Sequence, residues 1–295
     1  MCFSWWAGQY QVDFLVANRK LARSMSRFDC IDVQDVRDCF RRTWPDKERA
    51  MPPLIRRAVI LAAGQGTRLR RADQDYPKPL YPLRGRPLIG WVMRALRQAG
   101  VERVHVVVGF AREETMPGIR AACPEGLRLD FVDNPEWKKS NGVSLFQARG
   151  HLDERFFLSM SDHLYSADLA RRLALGATDE DSLYLAVDRK LKTIFDMDDA
   201  TKVKTRGGRI ADIGKQLADF DAVDTGLFVC PPAVFGFLQR AMANGDCSLS
   251  DGVRLMAREG RARVVDIGDL FWQDVDTPAM LGHAEEWLAA QPAVE

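Results

Sequence analysis

The stretch that most constrains this chain is Arg57-Ala-Val-Ile-Leu-Ala-Ala-Gly-Gln-Gly-Thr-Arg-Leu69. Ala58 to Ala62 is a short apolar run with β-branched Val59 and Ile60. Its length and composition suit one strand buried on both faces of a parallel sheet. The run leads straight into Gly64-Gln65-Gly66-Thr67-Arg68. Two glycines let the chain turn sharply and bring backbone N–H groups close to a ligand, with no Cβ in the way. Such a nest of N–H groups binds anions, most often phosphate. Arg68 adds a planar, permanently charged fork that matches phosphate oxygens. The rest of the chain has to fit a sheet built outward from this strand.

Two familiar phosphate loops fail on spacing. A P-loop needs Lys-Ser or Lys-Thr after its last glycine, and none follows Gly66. A dinucleotide fingerprint needs a third glycine where Leu69 stands, and an acid about 20 residues on, where Leu83-Arg-Gly-Arg86 falls. What does follow is Tyr76-Pro-Lys-Pro-Leu80. Lys78, held between two prolines, sits on stiff backbone and cannot belong to a helix interior. It is either a solvated loop lysine or a fixed ammonium facing a phosphate.

Strand and helix patterns alternate from Leu54 onward. Strands are expected at Val104–Val108, Leu127–Val132, Arg155–Met160, Ser182–Val187, Ala222–Cys230, Arg263–Ile267 and Phe271–Val275. Helices are expected at Leu88–Ala99, near Ala233–Ala243 and at Pro278–Ala290, and one carries Ser144–Gly150. Thr201–Lys204 and Arg209–Ile213 around Gly207-Gly208 form an antiparallel hairpin insert. The alternation predicts a Rossmann-like three-layer αβα sandwich with a mainly parallel mixed sheet. Pro52-Pro53 divides residues 54–295, the main domain, from an N-terminal extension, residues 1–53. That extension is either poorly ordered or helical (Asp13–Arg27, Val33–Arg42), serving as a lid or homodimer contact.

Composition excludes several functions. A net charge of +1 over 295 residues argues against nucleic-acid binding as the main role. The six cysteines form no Cys-x-x-Cys pair, so free thiols in a reducing compartment are expected. No apolar run approaches the ~18 residues of a membrane span, and Gln11 and Asp13 soon interrupt a start that lacks a basic region. A cytoplasmic protein is expected.

Several side chains could carry chemistry. Asp162, after the apolar run Phe156–Met160, stands at the carboxyl end of a strand, where open parallel sheets bind ligands. A carboxylate there could hold Mg²⁺, which prefers oxygen ligands shared with substrate phosphates; capping a helix is its plain alternative. Its partner is Asp276 in Trp272-Gln-Asp-Val-Asp-Thr-Pro278, with Asp274, on the same side of the strand, as rival. Lys215, after Gly214, could hold an acceptor phosphate or end a solvated hairpin. Gly214 would permit close approach of a ligand. In Asn134–Leu145, Asn141 and Ser144 offer donors and acceptors for a base, and Gly142 allows backbone contact with a flat ring; Asn141 could instead cap a helix. Asp196 to Ala200 lacks the glycine and glutamate of a calcium loop, leaving a solvated acidic turn or contacts with acceptor hydroxyls. His163 is either a support for Asp162 or structural. No Ser/His/Asp or Cys/His arrangement occurs.

These blocks together resemble the nucleotidyltransferases that activate sugar phosphates, and look most like the cytidylyltransferases acting on inositol 1-phosphate, with phosphocholine cytidylyltransferases as relatives. The matching pieces are Leu61–Arg68, Pro77–Leu80, Asn134-Pro135 with Ser140–Leu145, Met160–His163, Asp198–Val203, Ile213–Lys215, Val223–Gly226 and Asp274–Pro278. The resemblance implies the nucleotide-diphospho-sugar transferase fold. It also implies Mg²⁺-dependent conversion of CTP and an alcohol phosphate to a CDP-alcohol and pyrophosphate. Ala62, Ala63, Gly64, Gly66, Thr67, Asn141, Gly142, Ser144 and Asp162 would bind the nucleotide, Arg68, Lys78 and Lys215 would act on phosphate groups, and Asp162 and Asp276 would hold the metal. A separate membrane CDP-alcohol phosphotransferase is the expected consumer of the product. Choline as acceptor would call for an aromatic cage around its ammonium, for which Trp137 is one candidate.

Overall fold

The structure, a computed structural model, describes residues 55–66 and 77–291. The expected N-terminal extension lies outside the described residues, as do Thr67 and Arg68. In chain order the elements are β1 (Arg57–Ala62), a 3₁₀ turn (Lys78–Leu80), β2 (Pro82–Leu83), β3 (Arg86–Pro87) and α1 (Leu88–Gln98). Next come β4 (Arg103–Val108), α2 (Arg112–Ala122), β5 (Arg128–Asp133), α3 (Asn141–Gln147), β6 (Phe156–Met160) and β7 (His163–Tyr165). After α4 (Ala167–Gly176) follow β8 (Leu183–Asp188), β9 (Lys202–Arg206), β10 (Arg209–Gly214) and β11 (Ala222–Cys230). The chain ends with α5 (Val234–Ala241), α6 (Leu249–Arg258), β12 (Ala262–Asp266), β13 (Trp272–Asp274) and α7 (Pro278–Ala290).

One nine-stranded mixed sheet has the order β5-β4-β1-β6-β11-β8-β12-β10-β9. Strand β1 pairs in parallel with β4 and with β6, as its two-sided burial requires. Among the described strands of this sheet, only β11 and β10 run against the rest. Strand β11 also pairs with β9 through Ala222 and Val223, so β11, β8, β12, β10 and β9 close a ring of pairings. The register of β11 shifts between Asp224 and Phe228, around Gly226 with its left-handed φ of +74°. That conformation favours glycine, and it lets β11 serve β9 with one half and β6 with the other.

Side-chain alternation along β1 feeds two cores. Val59 and Leu61 pack with Leu145, Leu238 and Val253 from α3, α5 and α6. Ala58, Ile60 and Ala62 pack with Ile89, Ile119 and Leu173 from α1, α2 and α4. A third, smaller cluster gathers Tyr81, Leu83, Leu164, Val275 and Leu281. It clamps the segment after Lys78, strand β7, the residue before Asp276 and helix α7 to one another, so the site described next rests on apolar packing.

The expected strands all form, with ends displaced by a residue or two. Helices α2, α4 and α6 have no counterpart in the sequence reading. Of these, α6 begins with a reciprocal cap: the Ser248 hydroxyl accepts from the Asp251 N–H at 3.2 Å, and the Asp251 carboxylate accepts from the Ser248 N–H at 2.8 Å.

Candidate functional site

A cleft of about 480 Å³ opens at the carboxyl ends of β1 and β6, the edge where open α/β sheets bind ligands. Ala62, Ala63, Gly64, Gly66, Lys78, Asn141, Ser144, Asp162, Lys215 and Asp276 all line it, together with Asp274. Residues up to 214 positions apart in the chain therefore meet on one wall system.

The backbone explains how the acids meet. The Ser161 N–H donates to the Leu61 carbonyl at 3.1 Å, fastening the end of β6 to β1. Strand β7 starts directly after Asp162 and pairs antiparallel with β13, His163 opposite Asp274. The Val275 N–H then donates to the Asp162 carbonyl at 2.9 Å, which sets Asp276 beside Asp162. Lys78 Nζ donates to Asp162 Oδ2 and to Asp276 Oδ1, and its side chain is only 10% exposed. A Cβ on Gly66, whose φ is +60°, would lie 2.4 Å from Lys78 Cβ. Glycine is what allows the loop to pass that closely.

The second Asp162 oxygen, Oδ1, lies 2.8 Å from His163 Nδ1. Burial pushes the Asp162 carboxyl up, but Lys78 and His163 outweigh it and hold the group well below the ordinary carboxylate range. Burial alone would lower the Lys78 ammonium; Asp162 and Asp276 reverse this and raise it. Asp224 differs, because burial raises its carboxyl to about 6 against the pull of the Gly226 N–H and His163. Asp274 is raised as well, by burial first and by the neighbouring charges of Asp276 and Asp162.

Lys215 pairs with Asp199 at 2.5 Å and is half exposed. The buried Lys202 holds this corner by donating to the backbone carbonyls of Lys215 at 2.9 Å and Asp198 at 3.1 Å. On the far wall, the Ser144 hydroxyl accepts from Asn134 Nδ2 at 2.9 Å, and Trp137 meets Phe110 edge-on at 5.1 Å. Asn141 Oδ1 accepts from the Leu249 N–H at 2.8 Å, so its oxygen caps α6 while its residue borders the cleft.

Two of the glycines in the sequence reading also face neighbours inside the protein. Gly142 is buried and is not itself among the lining residues; a Cβ there would lie 2.6 Å from the Cys247 carbonyl oxygen. Close packing of α3 on the start of α6 requires glycine here. At Gly214 a Cβ would lie 2.4 Å from Arg254 Nη2, the terminal atom of a flexible side chain that can shift. Conversely, Lys139, Asp224 and Trp272 border the cleft and were not singled out from the sequence.

The donor set suits a hard divalent cation. Two carboxylates, fixed by strand ends, converge on a single cationic centre, and Mg²⁺ is bound by one or two carboxylates plus substrate phosphates. Among the described residues no group of three or more His, Cys, Asp and Glu side chains forms a cage that would bind a metal without help from a substrate. No described helix is long and apolar enough to cross a membrane.

A family model for the MobA-like NTP transferase domain matches residues 58–202. The bifunctional IPC transferase and DIPP synthase of Rubrobacter xylanophilus is 36% identical over 233 residues, which is 78% of this chain and 51% of the relative. The protein of the same name from Thermococcus kodakarensis is 35% identical over 235 residues, 79% and 50% of the two chains. The chain thus spans about half the length of these curated relatives. The solved inositol-1-phosphate CTP transferase from T. maritima superposes with a TM-score of 0.71 at 29% identity, covering 80% of this chain and 96% of that one.

Proposed function

Residues 58–202 match the MobA-like NTP transferase domain, and we propose that the chain transfers a cytidylyl group from CTP to inositol 1-phosphate, giving CDP-inositol and pyrophosphate. A phosphate oxygen of the acceptor forms a bond to the α-phosphorus as the bond to the β-phosphate oxygen breaks. The acceptor's second pKa near 6 leaves it mostly dianionic at neutral pH, so no general base is needed. The work of the site is to bring two anions together.

The observation that carries this reading is the convergence of Lys78, Asp162 and Asp276 at the mouth of the glycine loop. In our assignment Gly64, Gly66, Thr67 and Arg68 grip the triphosphate, while Lys78 and Lys215 neutralise phosphate oxygens. Ala62, Ala63, Asn141 and Ser144 frame the nucleoside. Asp162 and Asp276 hold Mg²⁺, whose charge when bound offsets that of the phosphates. The names of the relatives support inositol 1-phosphate as acceptor. Residues 54–295 form the catalytic domain, a three-layer αβα sandwich, and residues 1–53 an extension that could contact a second copy.

Pyrophosphate release tests the reading directly, with each NTP against inositol 1-phosphate, phosphocholine and glucose 1-phosphate. CTP with inositol 1-phosphate should turn over fastest and need Mg²⁺. Asp162→Asn should lower that turnover by about 10²-fold or more while the circular dichroism spectrum stays unchanged. Equal turnover by the variant would remove Asp162 from the reaction.

A further inference from the structure

One buried carboxylate outside the cleft has no role in the chemistry above. Asp188, at the end of β8, is 2% exposed and is absent from the cleft lining. Its Oδ1 accepts from the Lys190 N–H at 2.7 Å and lies 2.9 Å from Lys190 Nζ; that ammonium also donates to the Gly268 carbonyl at 2.6 Å. A turn-forming aspartate would need no more. Its Oδ2, however, accepts from Trp272 Nε1 at 2.8 Å, and Trp272 reaches into the cleft.

The Trp272 indole lies over the His163 imidazole, ring centroids 6.0 Å apart and planes 20° from parallel. Gly226 confines the imidazole from another direction, since a Cβ there would sit 2.4 Å from His163 Cδ2. Held by indole and backbone, His163 directs Nδ1 at Asp162 Oδ1, 2.8 Å away. A metal-holding carboxylate works only if its oxygens are aimed, and the groups that aim it are worth about 10–100-fold in affinity or activity.

We propose that Asp188 and Trp272 are positioning residues for Asp162, acting through His163. The inference rests on Asp162 being a metal-holding carboxylate, and it adds a line of support running from the Lys190 turn to the cleft. Asp188 fixes the rotation of the indole, the indole fixes the imidazole plane, and the imidazole fixes the carboxylate. The outer links are hydrogen-bond distances and the middle one a ring stack, and none requires Asp188 to touch a substrate.

The test compares wild type with Trp272→Phe, Trp272→Leu, Asp188→Asn and Asp188→Leu. One readout is Mn²⁺ affinity by electron paramagnetic resonance in the presence of CTP. The other is the His163 ring in ¹H–¹⁵N spectra, assigned with His163→Asn. Trp272→Leu and Asp188→Leu should weaken Mn²⁺ binding by about tenfold or more and shift the His163 ring signals. Trp272→Phe keeps the stack and most of the volume but lacks the N–H, so it should give a smaller shift of the same sign. Asp188→Asn retains one acceptor oxygen and should restore part of the loss. Unchanged His163 signals in the folded variants would overturn the proposal. The metal reading fails separately, if Asp162→Asn binds Mn²⁺ as wild type does; the ring spectra still decide the positioning claim.

Discussion

Lys78→Met is the most informative single change, because the ammonium it removes is bonded to two carboxylates at once. Removing one partner of a buried ion pair costs about 3–5 kcal/mol, since the other charge is left uncompensated. Here the cleft leaves the Asp162 side chain 21% and the Asp276 side chain 10% exposed, so water absorbs part of the penalty. A loss of about 2–3 kcal/mol at pH 7 is expected. The sign with pH follows from the carboxyl shift. In the wild type the Asp162 group is held below its ordinary value of 3.8, so its contribution is present above about pH 4 and fades only as pH falls further. In the variant, burial acts against His163 alone, the folded value moves up, and the carboxyl can take a proton at mildly acid pH. The gap between the proteins should therefore be widest at pH 7 and narrower at pH 5. The raised Lys78 value matters only above pH 10, outside this window. Urea unfolding followed by circular dichroism, at both pH values and with or without millimolar Mg²⁺, measures the effect. Mg²⁺ should raise the midpoint of the variant more than that of the wild type, because a cation can replace the missing ammonium. An equal loss at both pH values, with no extra response to Mg²⁺, would refute the electrostatic account.

Two further outcomes follow from groups outside the cleft. Burial pushes the His105 imidazole down to about 4, against the opposing charge of Asp130, and among the described residues neither ring nitrogen has a hydrogen-bond partner. The unfolded chain takes up that proton near pH 6.5 and the folded one does not, so stability should fall by up to about 3 kcal/mol from pH 7 to 4. His105→Leu should flatten this part of a urea-midpoint profile, and an unchanged slope would assign it elsewhere. Gly142→Ala should cost about 1–3 kcal/mol by overpacking against Cys247, read as a lowered midpoint. A raised KM for CTP with no loss of stability would instead return Gly142 to the base.

The parts of the fold that sequence made legible are those where one local pattern decides. Buried on both faces, β1 shows as Ala-Val-Ile-Leu-Ala, and α7 is bracketed by Pro278 and a break after Ala290. Helix α2 was hidden because it carries Pro117 inside and starts after Ala111 in a left-handed conformation, with no capping side chain. Helix α6 was signalled by Ser248-Leu-Ser-Asp251, but with aspartate where glutamate or glutamine is the usual partner. In the site, Lys78, Asp162 and Asp276 could be found because each lies in a conspicuous setting: between prolines, past an apolar run, before Thr-Pro. Choosing Asp276 over Asp274 as the partner of Asp162 was beyond strand periodicity, which treats the two alike. The difference is tertiary: the Val275 N–H bonded to the Asp162 carbonyl sets the register. Likewise nothing local announces that Gly142 and Gly214 face Cys247 and Arg254, since a missing side chain records only that something is near.

The charge balance of the cleft gives the strongest physical reason for a divalent cation. Its described lining carries Asp162, Asp196, Asp199, Asp224, Asp274 and Asp276 against Lys78, Lys139 and Lys215. Two of those lysines are already paired with three of the lining acids, Lys78 with Asp162 and Asp276 and Lys215 with Asp199, and Lys139 pairs with Glu136 outside the cleft. Each further unit charge of a phosphate brought within about 4 Å of a carboxylate is opposed by about 4 kcal/mol at an effective dielectric of 20. Under the proposed function a triphosphate and a phosphomonoester would be repelled by this wall unless more positive charge than these three lysines joins them. Raising Asp224 to about 6 softens the wall by one charge only below that pH, so protonation does not solve the problem at neutrality. A cation arriving with the nucleotide would, because Asp162 and Asp276 would then serve as its ligands instead of repelling the phosphates. Under the proposed function, the acids would let the site take the nucleotide together with its counter-ion, and Lys78, bonded to Asp162 and Asp276 in this structure, would have to release them.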